Sequence, residues 1–118
     1  MDIYEASRNY NIPMEILRAY ERWGLCSSVK KVMGAWQYDD QDLERLSVIV
    51  TLHDIGFTAE EVETYMRLSL EGYAADSQRL KMLNQKREQT LDQIHFKEKQ
   101  MAYLDYLRYQ IQKNQEEL

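Results

Sequence analysis

Apolar positions along this 118-residue chain keep a helical period almost throughout and lose it at a few defined points. Ile3, Ala6 and Tyr10 share one face of a short first helix. Asn9 and Asn11 then supply turn chemistry, since Asn tolerates left-handed backbone angles. Pro13 suits the first turn of a second helix, where its missing N–H costs nothing. That helix runs from about Pro13 to Trp23, buries Ile16, Leu17 and Tyr20, and stops at Gly24. Two short helices joined by a tight turn make a helix-turn-helix unit.

From Leu25 to Tyr38 the helical period disappears. Val29, Val32 and Trp36 flank Gly34 and predict a small β-hairpin. Asp39 or Asp40 caps a third helix with acid in its first turn, and Leu43, Leu46, Ile49 and Val50 carry its apolar stripe to Gly56. The run Thr58-Ala-Glu-Glu61 is a capping box that opens a fourth helix through Val62, Tyr65, Met66 and Leu68, closed by Gly72. From Asp76 to Leu118 neither Gly nor Pro occurs, which predicts one helix ~65 Å long at 1.5 Å per residue. Leu80, Leu83, Ile94, Met101, Leu104, Ile111 and Leu118 fall on a heptad track, with Leu91 and Leu107 beside it. Arg87, Thr90, Lys97, Arg108 and Gln115 interrupt the track. So small a body cannot cover such a stripe, and the helix is expected to pair with a second copy rather than fold back on itself.

Composition supports a helical chain: one Pro, four Gly, 44% hydrophobic and 30% charged residues. Cys26 is the only cysteine, so no disulfide can form within one chain. No apolar run approaches the ~18–20 residues that span a bilayer, and the first residues lack a basic-then-apolar leader, so a cytoplasmic protein without membrane partners is expected. The net charge of −5 argues against nucleic acid until its distribution is considered. Residues 1–38 hold five basic and four acidic side chains, a balance of +1, and the rest hold ten and sixteen, so the excess of acid lies away from the helix-turn-helix.

Three stretches resemble MerR-type transcriptional regulators. The run Ile12-Pro-Met-Glu-Ile-Leu-Arg-Ala-Tyr-Glu-Arg-Trp-Gly-Leu25 is similar to the family's recognition-helix signature. Gly34-Ala-Trp-Gln-Tyr38, followed by Asp-Asp-Gln-Asp-Leu-Glu-Arg-Leu46, gives a second match. Leu52-His-Asp-Ile-Gly-Phe-Thr-Ala-Glu-Glu-Val62 looks like the Gly-Phe junction between the family's third and fourth helices. The resemblance covers about residues 3–68. It implies a mainly α fold, with a winged helix-turn-helix domain carrying a small β-hairpin wing over 1–74. A long C-terminal dimerisation helix, an antiparallel coiled coil, then occupies 75–118. The dimerisation residues are Leu80, Leu83, Leu91, Ile94, Met101, Leu104, Leu107 and Ile111.

In such a domain the second helix enters the major groove and the wing reaches the flanking backbone. Arg18 then contacts phosphate or a guanine edge rather than pairing with Glu15 or Glu21. Met14, Glu15 and Tyr20 complete the DNA-binding set on that helix, although Tyr20 on an apolar face also fits the core. Lys30 and Lys31 lie in the hairpin, and Tyr38 at its base. The sequence departs from the family pattern at three positions: Ala19 replaces a Tyr, Trp36 stands where the wing carries Arg, and His53 replaces a common basic residue. Fewer phosphate anchors mean modest affinity and a flatter salt dependence.

No ligand set for a metal emerges from Cys26, His53 and His95, and no cofactor is expected. Phe96, Tyr103 and Tyr106 could line a ligand pocket between the long helix and a partner subunit, with packing as the alternative. A large effector module is not expected after the helix. Phosphate-loop, Ser-His-Asp, Cys-His and HExxH patterns are missing, so enzymatic activity is not expected. The sequence therefore predicts a homodimeric regulator on pseudo-palindromic double-stranded promoter DNA. The resemblance adds bending or untwisting of the spacer, with RNA polymerase as an indirect partner. The rival reading is an accessory or protein-interaction dimer of the same fold with weakened DNA binding.

Overall fold

A computed structural model describes residues 1–25, 31, 32 and 35–117, with backbone alone at 31, 32, 35 and 36. Two units are formed, Met1–Arg79 and Leu80–Leu118. In the first, α1 spans Ile3–Tyr10. Asp2 caps it by accepting from the Glu5 N–H at 2.8 Å, and Asn11 ends it at φ 54°, in the left-handed region anticipated for Asn. The Ser7 hydroxyl donates to the Ile12 carbonyl at 2.7 Å and so closes the turn into α2, Met14–Arg22. Pro13 sits at the N-cap of α2, and Gly24 leaves it at φ 72°.

Helix α3 covers Asp40–Asp54 and α4 covers Ala59–Leu70, each opened by a reciprocal capping box, Asp39 with Asp42 and Thr58 with Glu61. A 3-10 turn at Gly72–Ala75 leads into α5, Asp76–Glu116. The core of the first unit lies where α1 meets α2, α2 meets α3 and α3 meets α4. Leu17 and Tyr20 of α2, Leu46 and Ile49 of α3, and Val62 of α4 are fully buried there. Ile16, predicted to join them, is only half-buried. Each wholly enclosed aliphatic side chain contributes roughly 1.5–3 kcal/mol relative to exposure, which is what holds so small a unit together.

The β-hairpin wing expected between α2 and α3 requires correction. The only β pairing among the described residues is two rungs deep, Lys31 opposite Trp36 and Val32 opposite Ala35. Two-residue segments do not make a wing, because an isolated two-stranded pairing needs further strands or an apolar face packed on a helix to stand as an element. Among the described residues the architecture is five α-helices, not a winged fold. Cys26, Val29, Lys30, Gly34 and Leu118 lie outside the described residues.

Helix α5 runs uninterrupted for 41 residues, and none of them is buried. Among the described residues no helix is long and apolar enough to cross a membrane.

Candidate nucleic-acid interface

Helix α2 is amphipathic at a period that separates two jobs. Its inward face carries Leu17 and Tyr20; its outward face carries Glu15, Arg18 and Arg22, all exposed, with Met14 half-buried at the first turn. Arg18 forms no hydrogen bond or ion pair with a described residue, so the guanidinium is not consumed by Glu15 or Glu21. Glu21 is engaged elsewhere, as it accepts a hydrogen bond from the Tyr38 hydroxyl.

The inward face is pinned by a polar contact inside the core. The Tyr20 hydroxyl donates to Asp42 Oδ1 at 2.6 Å, and Tyr20 and Asp42 are both wholly buried. Asp42 Oδ2 accepts the Asp39 N–H at 3.1 Å, which ties the start of α3 into the same network. The Tyr38 ring stacks on Tyr20 with centroids 6.4 Å apart and planes at 28°. Tyr38 is itself buried, and its N–H donates to the Met1 carbonyl at 2.7 Å. Tyr20 and Tyr38, both expected in the DNA-binding set, are thus buried, and Tyr20 joins α2 to α3.

Two arginines absent from the sequence-derived set meet the other end of α2. Arg45 Nη1 of α3 donates to the Leu25 carbonyl at 2.9 Å, and Arg67 Nη2 of α4 donates to the Trp23 carbonyl at 3.0 Å. Arg67 Nε also pairs with Glu63 at 3.2 Å. Hydrogen bonding with Tyr20 holds the Arg45 guanidinium above its ordinary pKa against the opposing effect of burial, with further support from the charges of Asp42 and Asp39. Cations at a helix C-terminus also complement its dipole. Spacing held a partial signal for Asp42: with Leu46 and Ile49 it occupies one helical face, which marks it as inward-facing despite its charge. Nothing in the local pattern marks Arg45 or Arg67, because their acceptors lie 20 and 44 residues away.

On the second unit, Leu80, Ile94, Met101, Leu104, Leu107 and Ile111 are exposed, while Leu83 and Leu91 are half-buried. Phe96 borders an open concavity of about 690 Å³ together with Ile94, Lys97 and Met101; Tyr103 and Tyr106 are not part of its lining. Among the described residues no group of three or more His, Cys, Asp or Glu side chains could hold a metal ion.

Two short helices joined by a tight turn, the second presenting exposed arginines Arg18 and Arg22 and buttressed by two further helices, match the helix-turn-helix class of regulatory proteins. Residues 1–69 match the family model described as MerR HTH family regulatory protein. The chain belongs to the MerR family, and its N-terminal part is a MerR-type DNA-binding domain of a transcriptional regulator. It is similar to the HTH-type transcriptional regulator AdhR of Bacillus subtilis (strain 168), with 28% identity over 93 residues, 78% of this chain and 66% of that protein. Heavy metal-dependent transcription regulator 2 of Rhizobium meliloti (strain 1021) is 29% identical over 69 residues, 58% of this chain and 47% of that protein. The chain thus spans 47% to 66% of the length of these curated relatives.

Solved structures share the fold. A MerR family transcriptional regulator from Listeria monocytogenes superposes with a TM-score of 0.70 at 23% identity, covering 90% of this chain and 81% of that one. HiNmlR, a MerR family regulator lacking the sensor domain and solved bound to promoter DNA, gives 0.66 at 23% identity, covering 93% and 86%.

Proposed function

We propose that the chain is a sequence-specific transcriptional regulator that binds promoter DNA as a homodimer in the cytoplasm. Residues 1–74 serve as the DNA-binding domain and 75–118 as the dimerisation helix, paired antiparallel as a coiled coil through Leu80, Leu83, Leu91, Ile94, Met101, Leu104, Leu107 and Ile111. Helix α2 enters the major groove, where Arg18 donates to phosphate or to a guanine edge and Met14 and Glu15 lie at the leading turn. Lys30 and Lys31 contact backbone phosphates beside it. Two-fold symmetry makes the site pseudo-palindromic. Bending or untwisting of the spacer between half-sites is the means by which RNA polymerase, an indirect partner, is affected.

One observation carries this reading: α2 offers an exposed Arg18, with no partner among the described residues, on a helix whose opposite face is locked into the core by Tyr20 and Asp42. A free guanidinium on a rigidly held helix suits groove recognition, since the side chain forfeits no existing pair on binding. The promoter-bound state of HiNmlR, a protein of the same fold, supports the same conclusion. The unburied 41-residue α5 supports pairing with a second copy, because a solitary helix of that length gains nothing from tertiary packing.

A mobility-shift titration on DNA upstream of the chain's own gene, run at several salt concentrations, tests the reading. A shifted complex that weakens steeply with salt is expected, with Arg18→Ala lowering affinity roughly tenfold or more. No shift at the lowest salt overturns it in favour of an accessory dimer of the same fold. Wild-type affinity of Arg18→Ala removes Arg18 from the contact set.

A further inference from the structure

The chain leaves α2 through a three-residue exit, Trp23, Gly24 and Leu25, and the first and last of these carbonyls each receive a guanidinium from a different helix. Arg45 comes from α3 and reaches Leu25; Arg67 comes from α4 and reaches Trp23. Gly24 between them stands at φ 72°, so the turn cannot relax toward continued helix while both carbonyls are held. At the other end of the network, Tyr20 joins α2 to Asp42 of α3. Together these contacts leave α2 little freedom to rotate or slide against α3 and α4.

We propose that Arg45 and Arg67 are positioning residues for DNA recognition: they act on the groove helix through the carbonyls of its exit, and Arg67 does so without touching DNA. The proposal rests on the reading of α2 as the recognition helix. Arg67 is the more discriminating of the two. Its side chain is 52% exposed, so substitution leaves the core intact, and a basic side chain that exposed would otherwise be assigned to phosphate contact. Guanidinium geometry matters here. Arg67 uses Nε for Glu63 and Nη2 for Trp23 at the same time, a bridge between two fixed acceptors that a lysine ammonium, with one nitrogen, does not span in the same way.

Positioning and phosphate contact predict different results for Arg67→Gln and Arg67→Lys. Fluorescence anisotropy on specific and scrambled duplexes across a salt series reads out affinity, specificity and salt slope. If Arg67 positions α2, Arg67→Gln lowers the ratio of specific to nonspecific affinity roughly tenfold. The salt slope stays at the wild-type value, and Arg67→Lys fails to restore the ratio. If Arg67 contacts phosphate, the slope falls by about 0.9, the ratio is unchanged, and Lys rescues; that outcome overturns the proposal.

Amide hydrogen exchange on the full-length protein without DNA separates this idea from the functional reading beneath it. Arg67→Gln should raise exchange in the segment 19–25 by roughly tenfold while α1 stays at wild-type rates. Unchanged exchange in 19–25 overturns the clamp whatever the DNA result. Raised exchange in a chain that binds no DNA sustains the clamp and removes only the functional reading.

Discussion

Replacing Tyr20 by Phe tests the polar contacts that fix α2, because the ring and its packing on Tyr38 are kept and only the hydroxyl, with its bonds to Asp42 and Arg45, is lost. That hydroxyl lies 2.6 Å from Asp42 Oδ1 in a site from which solvent is excluded at both residues. Water cannot replace the donor without repacking, so the loss corresponds to a hydrogen bond to a charged group, roughly 1.5–3 kcal/mol. For a cooperative unit of this size each kcal/mol lowers Tm by about 4–8 °C, which places the expected fall near ~10 °C. Urea and thermal unfolding followed by Trp fluorescence, with Trp23 on the exit of α2 as reporter, provide the measurement at fixed protein concentration. A double-mutant cycle with Asp42→Asn should return a coupling of about 1–2 kcal/mol, since the two residues are in direct contact. A Tyr20→Phe protein within about 0.5 kcal/mol of wild type, or a coupling near zero, would refute the assignment of Tyr20 and Asp42 as the lock.

Further substitutions test neighbouring links. Thr58→Ala removes the side chain that accepts from the Glu61 N–H at 3.2 Å and should cost ~1 kcal/mol in urea unfolding, with helicity lost at the start of α4. At Gly24 a Cβ meets open space but the φ of 72° is unfavourable, so Gly24→Val should lose about 1–2 kcal/mol while Gly24→Asn loses less. Leu104→Glu places a charge on the exposed apolar stripe of α5; if that stripe is the proposed dimer seam, sedimentation velocity at micromolar concentration should show a dimer for the wild type and a monomer for the variant. Arg45 and Arg79 have pKa values raised from an already high ordinary value, by hydrogen bonding with Tyr20 and Asp76 respectively. A raised folded-state pKa stabilises below the unfolded value and loses that effect only on passing the folded one. These two groups therefore contribute no slope to stability across neutral pH, and a pH titration of unfolding that implicates them there contradicts this.

The helices were legible because their signals are local. The cap at Asp39 or Asp40, the capping box at Thr58, the proline before α2, the glycine after it and the apolar period of each segment all operate within a few residues. The wing was overestimated for the opposite reason: strand propensity at Val29, Val32 and Trp36 does not set how far a β pairing extends, which depends on context that local sequence does not reveal. Tyr20 and Tyr38 carry polar tips on apolar rings, and their hydroxyl acceptors, Asp42 and Glu21, lie 22 and 17 residues away, beyond the reach of local pattern. Asp42 is acid in the first turn of α3, yet its capping role coexists with complete burial. Arg45 and Arg67 escaped notice because a charge on a helix surface is ordinarily solvated, and their carbonyl acceptors lie on a different helix exit.

The claim that two copies of this chain present α2 to successive major grooves is tested most directly by footprinting the full-length protein on its promoter DNA. The account predicts two protected half-sites related by a two-fold axis, with centres a whole number of helical turns apart and altered cleavage between them. Protection of a single unsymmetric half-site, or uniform cleavage at the lowest salt with protein in excess, would contradict it.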